Sequence, residues 1–185
     1  MAEPPRLRTA RLVLEVPEPD GAPRVVAFYE RNKAHFAPWD PPHPPRFFTE
    51  AYWREKLAQS RLEMLQGQSL RLFLLEGELV VGSCNFTNFV RGPFQACYLG
   101  YSIDKDREGK GLMAEALRAA TGHVFSELKL HRIMANHLPE NLRSARLLRR
   151  LGFVVEGYAR DYLYINGAWR DHVLTALTNP TAMTP

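Results

Sequence analysis

Residues 96–117 read ACYLGYSIDKDREGKGLMAEAL: a strand-like run, a short loop with two glycines around a lysine, and an apolar, alanine-containing segment. Glycine costs helix stability, so two of them at a helix start predict a backbone that must stay bare. A strand, a glycine loop and a helix N-terminus together make a scaffold for phosphate, because free amides and the helix dipole both favour an anion. Lys110 adds positive charge. The loop is neither a Walker loop nor a dinucleotide fingerprint, since the Lys-Ser/Thr pair and the GxGxxG spacing are missing. On the local pattern alone, a tight turn with glycines for packing is an equal reading.

Alternation along 96–104 puts Cys97, Leu99, Tyr101 and Ile103 on one face, with Ala96, Tyr98, Gly100 and Ser102 on the other. Neither face is charged, which predicts a central strand covered on both sides. Gly100 within it predicts a bulge or a close approach. The helix after the loop is expected to reach about Glu127, with Met113, Ala116, Leu117, Ala120 and Val124 at core spacing.

Elsewhere, Leu7–Val16 reads as one strand and Pro23 to about Lys33 as a short helix. The prolines of 37–48 demand a loop, and Thr49 caps a helix to about Gln66. Strands LRLFLL and LVVGSCNF flank a turn at Glu76-Gly77-Glu78. HRIMANH is a further strand, and Asn141 opens a helix that Gly152 ends. The last two strands, 154–165 and 168–178, flank Asn166-Gly167, a strong two-residue hairpin signal. The fold class is α/β in mixed order, with about seven strands and about four helices in one domain spanning 1–185.

Composition narrows the class. At 45% hydrophobic and 24% charged, the chain reads as a soluble globular protein. It has no apolar run of membrane-spanning length and no signal-peptide pattern near its start. Cys84 and Cys97 support neither a disulfide framework nor a metal cluster, and the six histidines lack metal spacing. A cytoplasmic location is expected. The net charge of +4 suits anionic partners, a phosphorylated cofactor or RNA, without choosing between them.

Two motifs in order carry a resemblance. EGKGLM (108–113) matches the Arg/Gln-x-x-Gly-x-Gly/Ala loop of the GNAT superfamily of acetyl-CoA-dependent N-acetyltransferases, with Glu108 and Met113 departing from the pattern. NLRSARLLRRLGF (141–153) resembles that family's Asn-x-x-Ser/Ala-x-x-Leu-x-x-x-Gly-Phe helix. Together with CYLGYSI, HRIMAN, EGYARDYL and WRDHVLTALT, they make the chain similar to the RimJ branch, whose members acetylate the N-terminal alanine of the fifth small-subunit ribosomal protein.

The resemblance implies a GNAT fold whose cofactor-binding strands splay apart, the first of them carrying a β-bulge. It implies acetyl-CoA as cosubstrate, no metal, no membrane partner and a ribosomal-protein N-terminus as acceptor, and it leaves ribosome association and oligomeric state open. By resemblance, main-chain groups of Tyr101, Ser102 and Ile103 serve the pantetheine and thioester. Those of Gly109, Lys110, Gly111, Leu112, Met113 and Ala114 serve the pyrophosphate, and the Asn141 side chain meets the cofactor near its pantetheine end.

For the acid that protonates the departing thiolate, RimI-type relatives use a tyrosine where this chain has Leu148. Ser144, three residues after Asn141, is the candidate here, with close packing as its alternative role. Those relatives carry a glutamate base where this chain has Asn136. Asp161, in phase with Ala159, Leu163 and Ile165, is expected on a covered face with a raised pKa. Glu156 is the other candidate. Either carboxylate could instead hold backbone or an arginine, with a water chain serving as base. The arginines at 143, 146, 149 and 150 form a solvated face or an RNA contact. Tyr158, Tyr162 and Tyr164 alternate on one face, lining an acceptor groove or packing. A small-molecule amine acceptor and an RNA-associated binding role are the competing functions.

Overall fold

A computed structural model describes residues 3–181. The ends of the expected 1–185 domain lie outside the described residues. The chain runs through β1 (Arg6–Arg8), β2 (Val13–Glu15), α1 (Ala22–Arg31), α2 (Lys33–Phe36), α3 (Glu50–Leu65), β3 (Leu70–Glu76), β4 (Leu79–Val90) and β5 (Ala96–Ile103). It continues with α4 (Leu112–Ser126), β6 (Arg132–Met134), α5 (Leu142–Arg150), β7 (Val154–Ile165) and β8 (Ala168–Thr178). The eight strands form one sheet in the order β1-β2-β3-β4-β5-β6-β8-β7.

Two element counts exceed the sequence expectation. The single strand expected over Leu7–Val16 breaks at Thr9–Leu12, where Thr9 and Leu12 close a turn through N–H···O and Oγ1 bonds. The helix expected to end near Lys33 stops at Arg31, and Lys33–Phe36 makes a separate short helix. The cap at Thr49 is as expected: its side chain accepts from the Tyr52 amide.

The sheet is antiparallel except between β5 and β6, where pairing is parallel and limited to Ala96–Tyr98 against Arg132–Met134. Beyond Tyr98 the two strands part. From Leu99 to Ile103, β5 keeps its ladder with β4 and has no partner on the β6 side, leaving a strip of unpaired backbone groups. The irregularity expected at Gly100 lies elsewhere. Gly100 pairs in register with Asn85, and a Cβ there would meet nothing within 4 Å. The register shift is on β4 between Thr87 and Val90, with Asn88 in left-handed conformation at φ 54°.

Alternation sorts β3 between two cores. Leu70, Leu72 and Leu74 join Cys97, Leu99, Leu117 and Leu148 on the side of α4 and α5. Phe73 joins an aromatic cluster of Phe28, Tyr29, Phe36, Phe47 and Trp53 on the side of α1 and α3. Burial of each such large side chain stabilises by roughly 1.5–3 kcal/mol, so both faces of the sheet are held firmly. The second face of β5 is less covered than alternation predicts: Tyr98 and Gly100 are exposed at the opening of the splay.

Candidate active site

The glycine loop hangs between two fixed ends. Behind it, the Asp104 carboxylate, 2% exposed, accepts from Arg31 Nε at 2.7 Å, Asn32 Nδ2 at 3.2 Å and the Asp106 amide at 3.0 Å. Burial works against that charge, but these bonds outweigh it and hold the carboxyl below the usual carboxylate range. Ahead of it, Arg11 donates from Nη1 to the Lys110 carbonyl at 2.9 Å while pairing with Glu115 at 2.6 and 2.7 Å. Thr9 Oγ1 adds a 2.6 Å bond to the same carboxylate. Placing Arg11 there accounts for the break in the first strand.

Between those anchors, Gly109 and Gly111 both adopt left-handed backbone, at φ 71° and 77°. Only glycine takes that conformation freely. Leu112, Met113 and Ala114 bury their side chains, so α4 meets the loop with main chain alone. The amides from Gly109 to Ala114 find no acceptor among the described residues. Six bare amides, a helix dipole and the exposed Lys110 fit a diphosphate well.

Glu108, the departure from the family pattern, is turned aside and neutralised. One oxygen pairs with Arg143 of α5, and the other lies 3.2 Å from His35 Nε2 of α2.

The Asn141 side chain accepts the Ser144 amide at 3.0 Å, which caps α5 and commits its Oδ1. Ser144 Oγ lies 2.6 Å from the Tyr101 hydroxyl. Burial pushes the Tyr101 phenol up to about 12, with the Ser144 bond opposing it, so the phenol stays protonated near neutral pH. The helix therefore delivers a hydroxyl to β5 beside the splay, where the backbone of Tyr101, Ser102 and Ile103 lies. Leu148, one turn on, is 1% exposed and belongs to the core.

Asp161 departs from its expectation. β7 is irregular between Ala159 and Leu163, and Asp161 there adopts φ 50°. It is exposed, its amide donating to Asp171 Oδ1 at 2.9 Å. Alternation fails because the bulge breaks the phase. Glu156 pairs with Arg132. The three tyrosines take separate partners: Tyr158 donates to Asp171 at 2.7 Å, Tyr164 packs edge-on to Trp169, and Tyr162 accepts from Asn136 Nδ2 at 3.0 Å. Asn136 and Tyr162 thus sit together on the far wall of the splay. Sequence reasoning missed the Tyr101 side chain, Arg11 and the Asp104 cluster.

A sheet splayed between two parallel strands, with a glycine loop of unpaired amides at the mouth of the cleft, is the arrangement of an acyl-carrying transferase. Comparison with known proteins agrees: residues 11–154 match the acetyltransferase (GNAT) domain model, and the chain belongs to that family of N-acetyltransferases. It is 46% identical over 177 residues to the [ribosomal protein uS5]-alanine N-acetyltransferase of Escherichia coli K12, covering 95% of this chain and 91% of the relative. The crystal structure of ribosomal-protein-S5-alanine acetyltransferase from Vibrio fischeri superposes with a TM-score of 0.94 at 34% identity, covering 97% of this chain and all of that one. RimJ of Mycobacterium smegmatis, solved with a CoA disulfide, gives 0.88 at 28% identity, covering 97% and 90%.

Proposed function

We propose that the protein, acting as one domain over 1–185, moves the acetyl group of acetyl-CoA to the α-amine of a protein N-terminus, the N-terminal alanine of ribosomal protein uS5. The observation that carries this reading is the splay between β5 and β6 opening beside a loop of unpaired amides. The relatives named for this reaction cover nearly the whole chain.

In this reading the amides of 109–114 bind the pyrophosphate, and the free edge of Tyr101–Ile103 pairs with the pantetheine amides as an added strand. The same edge offers donors to the oxygen of the attacked carbonyl. The acceptor must be a neutral amine, and an α-amine near 7.7–8.0 supplies that form with little help. As the C–S bond breaks, Ser144, backed by Tyr101, passes a proton to the sulfur, and the proton that the attacking amine loses returns through water to the Ser144–Tyr101 pair, so that the thiol leaves neutral. Asp161 and Glu156 have little to support a role as base: one is exposed, the other is held by an arginine.

Ribosome association is part of the proposal. Arg146, Arg149 and Arg150 line a shallow cavity of about 330 Å³ on α5, a basic surface suited to an anionic partner. Free, buried Cys84 and Cys97 accord with a reducing cytoplasm.

Thiol release across peptides differing only in their first residue tests the acceptor. Peptides starting with Ala or Ser are expected to turn over, and N-blocked peptides with free lysines are not, because the lysine amine near 10.4 stays protonated. Preferential turnover of the blocked peptides would refute the α-amine assignment.

A further inference from the structure

Three carboxylates around the glycine loop have partners: Glu108 has Arg143 and His35, Glu115 has Arg11, and Asp104 has Arg31. Asp40, at the start of the Pro-rich loop after α2, differs. Its side chain is 29% exposed, and no donor among the described residues lies within hydrogen-bond distance of its carboxylate. The nearest group is His43 Nε2 at 3.6 Å. That imidazole stacks on Phe47 with centroids 3.7 Å apart, and burial pulls its pKa below the ordinary value. It is neutral near pH 7 and gives Asp40 no counter-charge. Lys33 lies beyond ion-pair distance, its ammonium 4.7 Å from the centre of the Phe48 ring. Burial pushes Asp40 up to about 6, so it remains mostly charged at pH 7.5.

Asp40 lines a cavity of about 370 Å³ walled by Tyr29, Phe36, Pro42 and Phe48, with Lys33 and His43 also in its lining, and bordered by the β7–β8 hairpin tip at Asn166-Gly167. The cavity is tied to the cleft. The Tyr29 side chain lies beside Ser83 of β4, and Ser83 Oγ lies 3.0 Å from Ser102 Oγ of β5. Tyr101 and Ser102 are neighbours on one strand and point to opposite faces. Ser144 therefore approaches that strand end from one side of the sheet, and the Asp40 cavity lies on the other.

We propose that this cavity captures the amine end of the acceptor in its charged resting form, with Asp40 as its counter-charge; the neutral amine that attacks the thioester forms when that proton is given up to water. With the Lys33 ammonium drawn over the Phe48 ring, the partly buried Asp40 carboxylate beside an aromatic wall suits a primary ammonium on a short apolar stem, such as an alanine N-terminus. The identity of the acceptor as a peptide rests on the function proposed above; the match of a cation to Asp40 does not.

Steady-state kinetics with an Ala-starting peptide test it. Asp40→Asn is expected to raise the peptide KM about 10-fold or more, the cost of losing a charge-assisted bond. The acetyl-CoA KM should stay within about 2-fold, and Asp40→Glu should recover most of the peptide affinity. An unchanged peptide KM in Asp40→Asn overturns the proposal. So does an equal loss of peptide and acetyl-CoA affinity, which would make Asp40 a structural residue. If the wild type turns over a small diamine and no peptide, and Asp40→Asn raises the diamine KM, the cavity assignment is supported and the protein-acceptor reading falls.

Discussion

Replacing Ser144 and Tyr101, singly and together, separates a proton donor from a packing contact. Their oxygens are 2.6 Å apart, at the short end for O–H···O bonds. Ser144→Ala and Tyr101→Phe each delete one neutral hydrogen bond and keep the surrounding shape, so each should cost only about 1 kcal/mol of stability. The effect on turnover should be larger, since a donor to the departing sulfur acts in the transition state. General acids contribute about 10²–10⁴-fold. A thiol near 8.5 is already a fair leaving group, which places Ser144→Ala at the low end, about 100-fold in kcat. Tyr101 acts through Ser144, so Tyr101→Phe should lose about 10-fold and the double variant no more than Ser144→Ala alone. The measurement is thiol release at saturating peptide and acetyl-CoA, with the acetyl-CoA KM followed in parallel. Because burial holds Tyr101 near 12, its proton persists through pH 6–10 and the pattern should not change there. Wild-type kcat in Ser144→Ala would make the pair structural. A double variant slowed by the product of the single losses would refute the relay.

Gly111→Asp places a side chain at φ 77° and a carboxylate among the bare amides, so acetyl-CoA should raise its melting temperature far less than that of the wild type; equal stabilisation would count against the loop. Asp104→Asn removes a carboxylate whose folded pKa is depressed. That contribution is present above the unfolded pKa of about 3.9 and is lost as pH falls through the lower folded value. The variant should be about 3 kcal/mol less stable at pH 7, with the gap closing on acidification; a gap independent of pH in denaturant titrations would refute the charge argument.

Much of the fold was legible because it is written locally. The hairpin at Asn166-Gly167 has φ 49° and 81°, the left-handed pair its dipeptide predicts. The core positions of α4 are all buried as their spacing requires. The structure departs from the sequence expectation where a local signal is too weak to show an interruption. Thr9 to Leu12 offers ordinary strand residues, yet the chain turns there so that Arg11 meets Glu115, 104 residues away. Asp161 stands off its expected face for the same kind of reason, since a period-2 pattern carries no mark of a bulge until the partner strand is known.

The candidate site divides along that line. The half proposed to bind an anion is built from main chain: glycines at left-handed positions and amides freed at a helix start. Backbone chemistry of that kind restricts which residues can stand there, so it leaves a trace in sequence. The other half works through side chains that meet across long separations. Tyr101 reaches Ser144 over 43 residues, and Glu108 reaches Arg143 over 35. A tyrosine on a central strand looks like core from its neighbours alone, and Glu108 looks like a defect in a phosphate loop. Only the packing of α5 against β5 makes the first a hydrogen-bond partner, and only the arginine at 143 makes the second harmless. Glu108 also touches His35 on the helix leading toward Asp40. The residue that departs from the family pattern is thus a bolt joining three elements: the glycine loop, the helix that carries Ser144, and the segment that carries the cavity acid.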